Sequence, residues 1–144
     1  MPITKTKLIL GSTVAALAVA APLAVAASTT TLKAALTGKA VVPGPADADG
    51  RGQATIVVKG SRVCHSLIYS KISAPDGGHI HRGARGISGP VVAALFMGRA
   101  KKTGCTTVTA RLAREIATKP GSFYVQLHNP AFEKGAIRGQ LRKG

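Results

Sequence analysis

From residue 32 to the C-terminus, glycine and proline cut this chain into short segments in which apolar and polar side chains alternate. Alternation with a period of two puts one row of side chains on each face of a strand. The chain is therefore committed to β-structure before any long-range contact is considered. In Gln53–Lys59, Ile56 and Val58 share one face against Thr55 and Val57. Gly60-Ser61 then turns the chain back into residues 62–71, where Val63, His65, Leu67 and Tyr69 form one row and Cys64, Ser66 and Ile68 the other. Two such arms about a glycine-led turn predict a β-hairpin.

The other segments follow the same grammar. Leu32–Val42 reads as a first strand ended by Pro43-Gly44-Pro45, and Asp47-Ala48-Asp49-Gly50 as a polar turn, since the remainder of a calcium loop is missing. Val91–Met97 is almost continuously apolar, which predicts a central strand covered on both faces. Gly98–Gly104 is a basic loop. Thr106–Leu112 alternates again, Ala113–Thr118 makes one or two helical turns stopped by Pro120-Gly121, and Ser122–His128 points Phe123, Val125 and Leu127 inward. Tyr124, Gln126 and His128 then share the opposite face. In the last strand Ile137, Gly139 and Leu141 alternate with Arg138 and Gln140; paired as a hairpin with 122–128, it brings Gln126 beside Arg138. The expected fold is all-β, an antiparallel β-sandwich or flattened barrel of about seven or eight strands with one short helix and one disulfide.

Upstream, Lys5 and Lys7 precede an apolar run from Leu8 to Val25 that ends at the small residues Ala24-Val25-Ala26. That is the layout of a secretory signal peptide, expected over residues 1–26 and cleaved near Ala26 or Ala27, the alternative being a retained N-terminal anchor. A polar leader at 27–31, a β-domain at 32–142 and a frayed tail at 143–144 follow, with no membrane span once the signal is cleaved. Export puts the protein in the cell envelope or outside the cell. There the two cysteines, Cys64 and Cys105, are expected to pair, and neither has a second cysteine at metal-ligand spacing. The formal charge of +15 becomes +13 when Lys5 and Lys7 leave with the signal, a field that favours anionic partners.

Four stretches carry candidate chemistry. His79-Ile80-His81 places two imidazoles on one strand face, and His128 joins them if its strand end lies alongside. Three neutral imidazoles suit copper or zinc, with His65 as a candidate fourth donor. The alternative is that these histidines brace turn backbone, pointing to solvent or into a loop-lined mouth while Ile80 takes the core. Arg82 and Arg85, in a glycine-rich turn, and Arg138 form a candidate anion site. The five carboxylates are scattered and no nucleophile elbow occurs, so no catalytic residue is assigned and no enzyme activity is expected. Scarce aromatics argue against specific nucleic-acid binding.

The residues Gly77-Gly78-His79-Ile80-His81 through Val91–Leu95, together with Leu36-Thr37-Gly38, Val42-Pro43, Cys64, Gly104-Cys105 and Tyr124–Leu141, resemble the CHRD domain. That module is named for its repeats in chordin and occurs alone in exported bacterial proteins. The resemblance implies an all-β domain linked to extracellular interactions. The function expected is an extracytoplasmic binding or structural module, with two alternatives: a copper- or zinc-binding protein using a surface histidine cluster, or electrostatic adhesion to anionic envelope or extracellular polymers.

Overall fold

A computed structural model describes residues 26–144, together with residues 1, 2, 11, 18–21 and 23. Most of the expected signal segment therefore lies outside the described residues. Among the described residues no helix is long and apolar enough to cross a membrane.

The strands are β1 (Thr29–Thr37), β2 (Arg51–Lys59), β3 (Arg62–Ser70), β4 (Gly77–Arg82), β5 (Val91–Met97), β6 (Thr103–Thr107), β7 (Phe123–Asn129), β8 (Phe132–Gln140) and the two-residue β9 (Arg142–Lys143); one helix, α1, spans Ala110–Thr118. All pairings are antiparallel, in the order β5-β4-β7-β8-β1-β2-β3-β6, with β9 beside β1. The two ends of this path, β5 and β6, come back near each other, so the sheet is a nearly closed barrel. The β2–β3 hairpin forms as its alternation requires. Its register runs from Arg51↔Ser70 to Lys59↔Arg62, and the tight turn uses Gly60 at φ +58°, a conformation costly for residues with a Cβ.

The inward rows pack a single core. Leu32, Leu36, Ile56, Val63, Leu67, Ile80, Val125, Leu127 and Ile137 are all buried in it, each worth on the order of 2 kcal/mol of transfer free energy against an extended chain. Helix α1 adds Ala113 and Ile116. Cys64 and Cys105 face each other across β3 and β6 and are bonded, as expected.

Four local expectations are corrected. The first strand starts earlier and stops at Thr37, where a 3-10 turn over Gly38–Ala40 begins. The strand expected over Thr106–Leu112 ends at Thr107, because the Thr109 hydroxyl accepts a hydrogen bond from the Leu112 amide (3.2 Å) and caps a helix there. Leu112, Ala113, Ile116 and Ala117 have helical spacing, which the shorter alternation had masked. β5 is an end strand, with Val91, Ala94 and Met97 exposed and Ala93, Leu95 and Phe96 buried, so its apolar run does not mark a strand covered on both faces. The C-terminal tail is held, since Lys143 pairs with Leu32 and the Gly144 amide donates to the Thr31 carbonyl at 3.1 Å.

The outer face of β4, β7 and β8 is covered as well. Residues 83–90 fold back over it: the Arg82 amide donates to the Pro90 carbonyl (2.9 Å) and the Gly83 amide to the Ser122 carbonyl (2.8 Å). The segment after β1 joins at its edge, the Asp47 amide donating to the Ala136 carbonyl (3.1 Å). Beneath this cover lies a second, polar layer of buried side chains: His81, Tyr124, Gln126 and Arg138.

Candidate metal centre

Strand register assembles that polar layer. His81 lies opposite Tyr124, His79 opposite Gln126, and Gly77 opposite His128; on the other side Gln126 faces Arg138 and Tyr124 faces Gln140. The predicted Gln126–Arg138 pairing is therefore present. Gly77 has no side chain to fill the space beside His128, and the His79 ring leans over that position. Register shifts flank His79 and His81 in the β4–β5 pairing and lie beside His128 in the β7–β8 pairing. Such bulges re-aim side chains locally. The three rings meet with centroids 5.0 Å apart for His79 and His128, 5.8 Å for His79 and His81, and 5.9 Å for His81 and His128.

The hydrogen bonds decide which nitrogens are free. His81 Nδ1 lies 2.9 Å from the Gly89 carbonyl oxygen and His128 Nδ1 2.8 Å from that of Glu133. A carbonyl only accepts, so each Nδ1 carries the proton and each Nε2 keeps its lone pair. His79 Nε2 is 3.0 Å from the Met97 sulfur, again an acceptor, which leaves the lone pair on His79 Nδ1. His79 Nδ1, His81 Nε2 and His128 Nε2 are all buried and without a partner. One ring nitrogen from each residue lies within 4.8 Å of the others. A tetrahedral ion with metal–nitrogen bonds of about 2.0–2.1 Å needs these atoms about 3.4 Å apart, so the rings must close by no more than about 1.5 Å. Carbonyls on the far ring nitrogens are the usual outer support of metal-binding histidines.

Burial favours the neutral form of His79 and His81. Burial pushes the His79 pKa down from 6.5 to about 4, and the neighbouring His128 and His81 add to the shift. Burial also lowers His81, opposed by its bond to the Gly89 carbonyl and assisted by His128 and Arg138. His81 is only 7% exposed; of the two orientations expected, solvent or a loop-lined mouth, it takes the second, under the loop that carries Gly89. Its ring stacks on Tyr124 (4.8 Å between centroids, 11° between planes). The Tyr124 hydroxyl accepts from the Gly89 amide (3.1 Å) and donates to the Gly89 carbonyl (3.3 Å), fixing the oxygen that orients His81.

A family model for the CHRD domain matches residues 32–141. The chain belongs to the CHRD domain family. Comparison with curated proteins and with solved structures found no match. In this CHRD domain the His79–Leu95 motif that carried the resemblance supplies two of the three clustered histidines and the loop that covers His81.

The remaining sequence-derived candidates divide. His65 stays apart: it is buried on β3, its Nε2 3.1 Å from the Lys101 carbonyl, and it packs near Phe96. It supplies no fourth donor. Arg82 leaves the expected anion set, because Glu115 binds it at 2.6 Å and its guanidinium covers the Phe123 ring. Arg85 and Arg138 do share one pocket, with Lys39 as an unforeseen third cation. Sequence reasoning also missed Met97 and Gly89. Met97 was legible only through the β4–β5 register, where it sits opposite Gly77. Gly89 acts through its carbonyl, which no residue type announces.

Proposed function

We propose that this protein is an extracytoplasmic metal-binding module in which His79, His81 and His128 hold one copper or zinc ion. The observation that carries the reading is that one ring nitrogen from each of three histidines lies within 4.8 Å of the others, while every ring keeps a buried, unpartnered nitrogen and two have their tautomer set by a backbone carbonyl. An unsatisfied buried polar atom costs roughly 1–3 kcal/mol; one ion relieves three at once. When bound, the metal offers a Lewis-acidic and, for copper, redox-active centre. The chain's own residues position the donors, favour the neutral form of His79 and His81 and limit access: residues 83–90 cover His81, while His79 and His128 remain half-buried. The exposed Met97 thioether at the rim is a soft donor that favours copper(I) over zinc. The signal-like N-terminal sequence and the paired cysteines favour a site that works outside the cytoplasm. We read the centre as one that holds metal, and assign it no reaction.

Calorimetric titration of disulfide-intact protein with zinc and with copper tests this. One equivalent should bind tightly to wild type, and affinity should fall at least a hundredfold in His79→Ala/His81→Ala. Equal affinity in a variant that retains a cooperative thermal transition would overturn the reading.

A further inference from the structure

Arg138 is 1% exposed yet has no carboxylate partner. Among the described residues, the two ion pairs both use Glu115, with Arg82 and Arg111. Arg138 donates one hydrogen bond, Nη2 to the Ala84 carbonyl at 2.9 Å, and its guanidinium lies 3.4 Å from the Tyr124 ring centroid. Its Nη1 is buried with no partner. A buried guanidinium without a counter-charge is costly, and stacking on one ring and holding one loop carbonyl leave that charge uncompensated. Arg138 lies in the wall of a cavity of about 250 Å³, whose other polar lining residues are Lys39, Arg85 and Gln140. Three cations and no acid line it. Gln140 donates its amide to the carbonyls of Gly83, Gly121 and Phe123, so its orientation is set, and its Oε1 is a buried acceptor with no donor.

We propose that this cavity is a binding site for a phosphate-type oxyanion that carries a proton or hydroxyl, such as hydrogenphosphate or a small phosphate monoester. The anionic oxygens answer Arg138, Arg85 and Lys39 through charge-assisted hydrogen bonds. The hydroxyl answers Gln140 Oε1, which a fully ionised sulfate cannot do. Arg138 and His81 sandwich Tyr124 from the two neighbouring sites, but the anion site requires no metal, so the two proposals stand or fall separately.

The test is titration of disulfide-intact protein, in chelator and about 150 mM chloride, with inorganic phosphate, glycerol 3-phosphate and sulfate. At this ionic strength loose association with exposed cations is largely screened. Saturable binding of one equivalent of phosphate or its monoester is expected, with sulfate at least tenfold weaker; the tighter of the first two identifies free phosphate or an ester as the source. Lys39→Ser/Arg85→Ser, confined to exposed positions, should weaken binding at least tenfold, and Arg138→Gln should abolish it. Absence of saturable binding, sulfate binding as tightly as phosphate, or full affinity in Lys39→Ser/Arg85→Ser would overturn the proposal.

Discussion

Acidifying the metal-free protein should expose the buried histidine cluster through its effect on stability. His79 has a pKa near 4 in the folded chain against 6.5 when unfolded. Above pH 6.5 the ring is neutral in both states and its contribution is fully retained. Between 6.5 and 4 the unfolded chain binds the proton that the folded chain refuses, so stability falls as pH falls. The gap of about 2.5 units, at roughly 1.4 kcal/mol per unit, sets a ceiling of about 3 kcal/mol on the loss, or on the order of 10 °C in Tm for a domain of this size; His79 is only half-buried, so solvent screening brings the realised loss below that ceiling. His81 and His65, both lowered by burial, pull in the same direction. The assay is thermal unfolding in chelator from pH 7.5 to 4, wild type against His79→Gln. The variant should start less stable or equal at pH 7.5 and lose markedly less on acidification, so that the stability difference shifts in its favour by up to about 3 kcal/mol. Parallel curves would refute the reasoning, since they would mean that His79 protonates as easily folded as unfolded.

Reduction of the Cys64–Cys105 bond, which closes a loop of 41 residues, should cost about 4 kcal/mol on the chain-entropy model, measured by denaturant midpoint with and without reductant. Gly89→Ala would drive a Cβ into the Arg82 carbonyl, shift the Gly89 oxygen off His81, and lower both stability and metal affinity. Tyr124→Phe removes the hydroxyl that holds Gly89 by two hydrogen bonds and should cost about 1–2 kcal/mol while weakening metal binding less than loss of a ligand does; calorimetry on the same protein reads both.

How much of this was legible beforehand depends on which kind of contact was at stake. Period-two alternation placed Ile80 in the core, set His79 with His81, and put Gln126 beside Arg138, because pleating alone decides those. It could not say whether the second face of β4, β7 and β8 is wet. That depends on residues 83–90 and on the segment around Val41 folding over it, and it changes His81 and Arg138 from surface groups into buried ones. Thr109 misled the pattern because a capping threonine and a strand threonine look alike until the Leu112 amide is seen to need an acceptor. Lys39 was lost from the anion site for a similar reason: read as part of a strand, it had no route to the far end of β8, whereas the 3-10 turn at Gly38–Ala40 brings it to Arg138's pocket.

The central claim is that three named imidazoles share one ion. X-ray absorption on protein loaded with a single equivalent of copper or zinc tests it most directly, with His128→Gln measured in parallel. Three imidazole nitrogens at about 2.0 Å, falling to two in the variant, are predicted. A first shell of oxygens with no imidazole scattering, or a spectrum indifferent to His128, would contradict it.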